Sequence, residues 1–206
     1  MDSVQAKILA RMRRLGHGKV HTAKDFLGLG SRAAIDQALS RLVRDRTIRR
    51  LARGLYYIPR MNPALDIELA PDMDSVAQAL ARKIGSRVVP SGAVAANWLG
   101  LSAQVPAKPV YLTDGRTRSI RIGNTTFLMK HVSPKDLPLG SPTSAMVFQA
   151  LRYLGKEAMG EDTIARLRRR LSPEERLKLL KDVRYATGWI ARAVHQVCEG
   201  SGNRHG

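Results

Sequence analysis

The chain has 206 residues, enough for one or two domains with proper cores, and a net charge of +18 that suits polyanionic partners. The excess is uneven: residues 1–60 carry 14 Lys and Arg against 4 Asp and Glu, residues 61–160 carry 11 against 7, and residues 161–206 carry 10 against 6. No stretch approaches the about 18 apolar residues of a membrane span and no signal-peptide pattern opens the chain, so a cytoplasmic protein without membrane attachment is expected.

Cys198 is the single cysteine, which excludes an intrachain disulfide framework or a Cys-based zinc site. His17, His21, His131, His195 and His205 are scattered without metal-ligand spacing, so neither a metal nor a cofactor is expected.

The first predicted element is a helix over residues 3–15, with Val4, Ile8, Met12 and Leu15 on one stripe and Arg11, Arg13 and Arg14 facing outward. Those arginines are either DNA-backbone contacts or ordinary solubilising charges. Leu15 to Lys19 reads as a turn, and Val20 as a short strand. Thr22 and Asp25 resemble a capping box that opens a short helix, which Gly28 and Gly30 end. Ser31 caps a longer helix running to about Asp45. Its apolar stripe is Ile35, Leu39, Leu42 and Val43, at i, i+4, i+7 and i+8.

The opposite side of that helix holds Ala33, Gln37, Ser40, Arg41 and Arg44, with Asp36 on the flank. A solvated helix face usually mixes Glu and Lys in i,i+4 pairs. Gln and Arg are instead the side chains that read adenine and guanine edges bidentately, and small neighbours permit close approach to a groove. Thr47 to Leu51 and Leu55 to Ile58 read as two strands joined at Ala52-Arg53-Gly54, a basic hairpin carrying Arg49, Arg50 and Arg53. A helix-turn-helix followed by such a wing is a winged-helix pattern. Gln37, Ser40, Arg41 and Arg44, aided by Arg32, are the candidate base readers, and the three wing arginines are candidate phosphate or minor-groove contacts. The alternative is a basic helical hairpin with a solvated face.

Residues 61–75 read as a linker broken by Pro63 and Pro71, with Asp66, Glu68, Asp72 and Asp74 forming a solvated or partner-facing acidic strip. A second domain of residues 76–199 follows. It opens with a helix through Val76, Leu80 and Ile84, a strand at Val88-Val89, and an Ala-rich helix capped by Ser91 whose small residues suit packing on a sheet. Strands at Val110–Thr113, Ser119–Ile122 and Thr126–Lys130, turning at Asp114-Gly115 and Gly123-Asn124, read as an antiparallel meander.

This region resembles the AbiEi family of antitoxins. The residues that carry the resemblance are the Ser91-Gly92 helix start, Asn97 with Leu99-Gly100-Leu101, Gln104-Val105-Pro106, Tyr111 to Gly115, and Gly54-Leu55-Tyr56-Tyr57 at the end of the wing. The resemblance spans roughly residues 5 to 155. It implies a winged-helix autorepressor of a type IV toxin–antitoxin operon that binds double-stranded DNA at repeats in its own promoter. It also implies a C-terminal domain that counters a nucleotidyltransferase-like toxin of the AbiEii type, and no catalysis. A stand-alone winged-helix regulator whose C-terminal domain dimerises or senses a ligand is the alternative. The oligomeric state is left open.

The last third is helical. A helix after Pro142 uses Met146, Val147, Ala150, Leu151 and Leu154, and one from Glu161 ends in Arg168-Arg169-Arg170, which suits the helix dipole or nucleic acid. Ser172-Pro173-Glu174-Glu175 opens a third, and Thr187 to Val197 forms a fourth, with Cys198 at its end as a packing residue alongside Ile190 and Val194. Residues 200–206 are expected to be disordered. Together these elements predict an α+β protein, a winged helix-turn-helix domain (1–60) followed by a mixed domain with a small β-meander and several helices.

Overall fold

A computed structural model describes residues 3–71, 73–122 and 125–199, so the expected tail, Asp72 and the Gly123-Asn124 turn lie outside the described residues. The chain is mixed α and β, in two compact units that meet at Arg87 and Val88.

In the first unit, α1 (Val4–Leu15) is capped by Ser3, whose hydroxyl accepts from the Ala6 N–H. Strand β1 (Val20–His21) leads to a 3-10 helix, Ala23–Leu29, and then α2 (Arg32–Arg44). The segment after Thr22 is 3-10 rather than α. Strands β2 (Arg49–Ala52) and β3 (Leu55–Tyr57) form a hairpin whose tip needs Gly54 at φ +76°. With β1 they form an antiparallel sheet in the order β1-β3-β2, pairing Val20 with Tyr57 and Arg50 with Tyr56. Ile8, Met12, Phe26, Ile35, Leu39, Leu42 and Ile48 fill the core between these elements.

The stretch expected to be a bare linker contains structure of its own. Strands β4 (Arg60–Asn62) and β5 (Ile67–Leu69) pair antiparallel. The Asn62 side chain accepts from the Ala64 N–H at 3.0 Å and Asp66 takes φ +50°, so Asn and Asp chemistry makes the turn around Pro63. Helix α3 (Met73–Ile84), assigned from sequence to the second domain, belongs to the first unit. Polar side chains tie it there. Ser75 Oγ accepts from the Val20 N–H at 2.7 Å, Lys24 donates to the Lys83 carbonyl at 2.8 Å, and Lys83 donates to the Arg53 carbonyl at 2.7 Å.

The second unit starts with β6 (Val88–Pro90) and α4 (Gly92–Trp98). Strands β7 (Val110–Thr113), β8 (Arg118–Ile122) and β9 (Thr125–His131) follow, but not as a meander. The sheet order is β6-β7-β9-β8, with β7 and β9 parallel and the other pairs antiparallel. Side-chain chemistry explains the inversion. Strand β9 buries Phe127 and Met129 and takes the inner position, whereas β8, which reads Arg-Ser-Ile-Arg-Ile, leaves most of its side chains exposed and suits an edge. His131 closes the crossover: its backbone N–H donates to Thr117 Oγ1 at 3.0 Å, and its Nδ1 lies 2.9 Å from the Gly115 carbonyl.

The remaining helices are α5 (Pro142–Leu154), α6 (Glu161–Arg170), α7 (Pro173–Asp182) and α8 (Gly188–Glu199). With α4 they enclose a core that includes Ala95, Phe148, Leu151, Leu167, Leu179, Ile190 and Val194. The small residues of α4 serve helix-to-helix packing on α5, not packing on the sheet as expected. A methyl group at Gly92 would stand 2.4 Å from Tyr153 Cβ and 2.8 Å from the Gln149 carbonyl. The Ser172–Glu175 capping box forms in full, with bonds of 2.8 and 3.2 Å. Cys198 is half-buried against the core, and burial raises its thiol pKa.

Candidate nucleic-acid interface

The geometry of α2 follows from its sequence. Ser31 Oγ accepts from the Ala34 N–H at 3.3 Å and fixes the start of the helix. At 100° per residue, Ile35, Ala38, Leu39 and Leu42 share one arc, and all are buried. Arg32, Ala33, Asp36, Gln37, Ser40, Arg41 and Arg44 occupy the opposite arc, and all are exposed. The side chains of Gln37, Arg41 and Arg44 make no hydrogen bond or ion pair within the described residues, so their full donor sets face outward.

The other candidates divide. Arg32 Nε holds Asp36 at 2.8 Å, an exposed i,i+4 pair, so one carboxylate does stand beside this face and screens the first arginine. On the hairpin, Arg50 and Arg53 are exposed, with Arg53 at the tip. Arg49 is turned differently. Its guanidinium grips both oxygens of Glu68 on β5, with Nε to Oε2 at 3.2 Å, and also donates to the Arg46 carbonyl. Sequence placed Glu68 in a solvated or partner-facing strip; it is an intramolecular partner of Arg49, a candidate wing residue. Burial raises the pKa of nearby Tyr57, helped by Glu68 and opposed by Arg49.

The first unit also holds a polar junction, of which the sequence showed only the Thr22–Asp25 capping pair. Asp25 accepts from the Thr22 N–H at 2.8 Å and from Arg82 Nε on α3 at 3.0 Å, while Arg82 also donates to the Val20 carbonyl at 3.0 Å. Burial alone would raise the Asp25 pKa, but the Thr22 and Arg82 bonds outweigh it and hold the carboxyl below its ordinary value. His21, beside it, is buried, and that burial lowers its pKa against the pull of Asp25; Arg82, Arg11 and Lys19 push the same way as burial. Arg11 also departs from expectation. Arg13 and Arg14 are exposed, but Arg11 is half-buried, with its Nε enclosed.

In the second unit, the arginine run at the end of α6 is divided in role. Arg168 donates to the Val197 and Gln196 carbonyls at 3.2 and 2.6 Å, which supplies the C-terminal end of α8 with donors. Arg169 and Arg170 stay exposed. Among the described residues, no group of three His, Cys, Asp or Glu side chains is placed to hold a metal ion, and no helix is long and apolar enough to cross a membrane.

Residues 7–179 match the family described as "Family of unknown function (DUF6088)", and the chain belongs to that family. No curated protein matches it.

Proposed function

We propose that the protein is a DNA-binding antitoxin of a type IV toxin–antitoxin system, in which the first unit acts as a winged helix on the protein's own promoter. In this reading α2 is the recognition helix. Gln37, Ser40, Arg41 and Arg44 read base edges, with Arg32 at the entry, and Arg50 and Arg53 contact phosphate or the minor groove. Arg49 supports the wing through Glu68 in the free protein.

One observation carries the reading: every non-core position on α2 that can read a base is exposed, opposite a stripe of fully buried residues. A helix about 10–12 Å across with its side chains suits a major groove about 12 Å wide. The strongly basic N-terminal third supplies the sequence-independent attraction.

The toxin-countering role of the second unit rests on the resemblance of residues 90–135 to AbiEi antitoxins. The partner there is a nucleotidyltransferase-like toxin, and the protein acts without catalysis. Footprinting on the protein's own promoter tests the first half. Protection of discrete repeats is expected, and uniform binding to any duplex would reject it. Co-expression with an adjacent nucleotidyltransferase-like gene tests the second. Rescue of growth supports the antitoxin; operator binding without rescue leaves a stand-alone regulator.

A further inference from the structure

A second feature of the first unit lies apart from α2 and the β2–β3 hairpin. Between α1, β1 and α3 lies a cavity of about 430 Å³, within the size range of small-molecule sites. None of its lining residues comes from α2 or from the β2–β3 hairpin. Leu15 and Val20 give it an apolar wall, and Arg11, Lys19 and Arg82 give it cations.

The charges in this cavity do not cancel. Arg82 is committed to Asp25 at 3.0 Å, so that pair is neutral. Arg11 and Lys19 then face the carboxylate of Asp74, which accepts from Gln78 at 3.4 Å, and among the described lining residues one positive charge remains. Two buried nitrogens on the lining have no hydrogen-bond partner: Arg11 Nε, a donor only, and Nε2 of His21, a residue only 4 % exposed. Buried polar atoms are satisfied almost everywhere in folded proteins, so two unsatisfied nitrogens on one cavity call for a partner.

We propose that this cavity is a binding site for a small anion, a carboxylate or phosphate group carried by a metabolite, held by Arg11 and Lys19 with His21 at its inner wall. An oxyanion supplies the acceptor that Arg11 Nε lacks and neutralises the surplus charge; charge-assisted bonds of this kind are the strong ones. The apolar wall leaves room for a short carbon skeleton. The proposal does not depend on DNA binding.

Isotope-labelled full-length protein would be titrated with inorganic phosphate and separately with acetate, at ionic strength held constant with chloride. The readouts are the His21 ring and Lys19 side-chain resonances. A saturable shift with phosphate assigns the site to phosphate esters, and one with acetate assigns it to carboxylates. Arg11→Gln and Lys19→Gln should each weaken that saturation by about tenfold or more, while Arg14→Gln, on the exposed side of α1, leaves it unchanged. If Arg11→Gln fails to fold, Lys19→Gln decides, since Lys19 is exposed. The proposal is overturned by an equal response to chloride, by no shift up to about 20 mM of either probe, or by saturation that neither variant weakens.

Discussion

The contrast between Arg41 and Arg50 gives the proposed docking its most direct test. Among the described residues, four cations on α2 and the hairpin have side chains free of intramolecular partners: Arg41, Arg44, Arg50 and Arg53. Each phosphate neutralised contributes a slope of about −0.9 in log affinity against log salt, so the two proposed phosphate contacts, Arg50 and Arg53, give about −1.8. Between about 50 and 200 mM salt, that slope lowers affinity roughly tenfold. Arg50→Ala should flatten the slope by about 0.9 and weaken every sequence alike. Gln37→Ala or Arg41→Ala should instead cost about 1–3 kcal/mol at the preferred site and relax specificity there, because a bidentate base contact is lost. Fluorescence anisotropy on operator and scrambled duplexes over a salt series separates the two patterns. If Gln37→Ala and Arg41→Ala bind operator as tightly as the wild type, α2 is not in the groove.

Glu68→Gln should release Arg49 and remove a carboxylate, raising DNA affinity several-fold at low salt while changing stability by less than about 1 kcal/mol; unaltered affinity in gel shifts would place Arg49 away from the duplex. Gly92→Ala should lower the urea midpoint, because overpacking of about 1–3 kcal/mol exceeds the helix-propensity gain of about 1 kcal/mol when the new methyl meets a backbone carbonyl at 2.8 Å. His21 is held below its ordinary value of 6.5 by burial, so beneath that pH the unfolded chain takes up a proton that the folded one resists. Stability should therefore fall as pH drops from about 6.5 toward the lowered value, by up to about 1.4 kcal/mol per unit, and His21→Phe should remove that component in unfolding titrations.

What could be read in the sequence was local. Ser31, and Ser172 with Pro173 and Glu175, mark helix starts through bonds that span three residues, and the structure forms them. The buried stripe of α2 follows from a 3.6-residue period, which also puts Gln37 and Arg41 outside. The misses were all long-range. A meander is the default for three successive strands, and only the relative burial of β8 and β9 shows that β9 goes inside. The direction of Arg11 depends on α3, which begins some sixty residues later, and Arg49 meets Glu68 across the turn at Pro63. Arg168 looked like a helix-dipole or nucleic-acid residue because its acceptors, on α8, lie 28 and 29 residues away.

The position of α3 sets a length requirement on any attempt to isolate the part that carries the candidate contact residues. A polypeptide ending at Arg60 would retain the candidate contact residues but lose Ser75 from Val20, Arg82 from Asp25 and Lys83 from the carbonyl at the hairpin tip. Its β2–β3 hairpin and its sheet would lose those ties to α3. A fragment that keeps these three bonds must include α3, so that helix and the elements it holds form one unit.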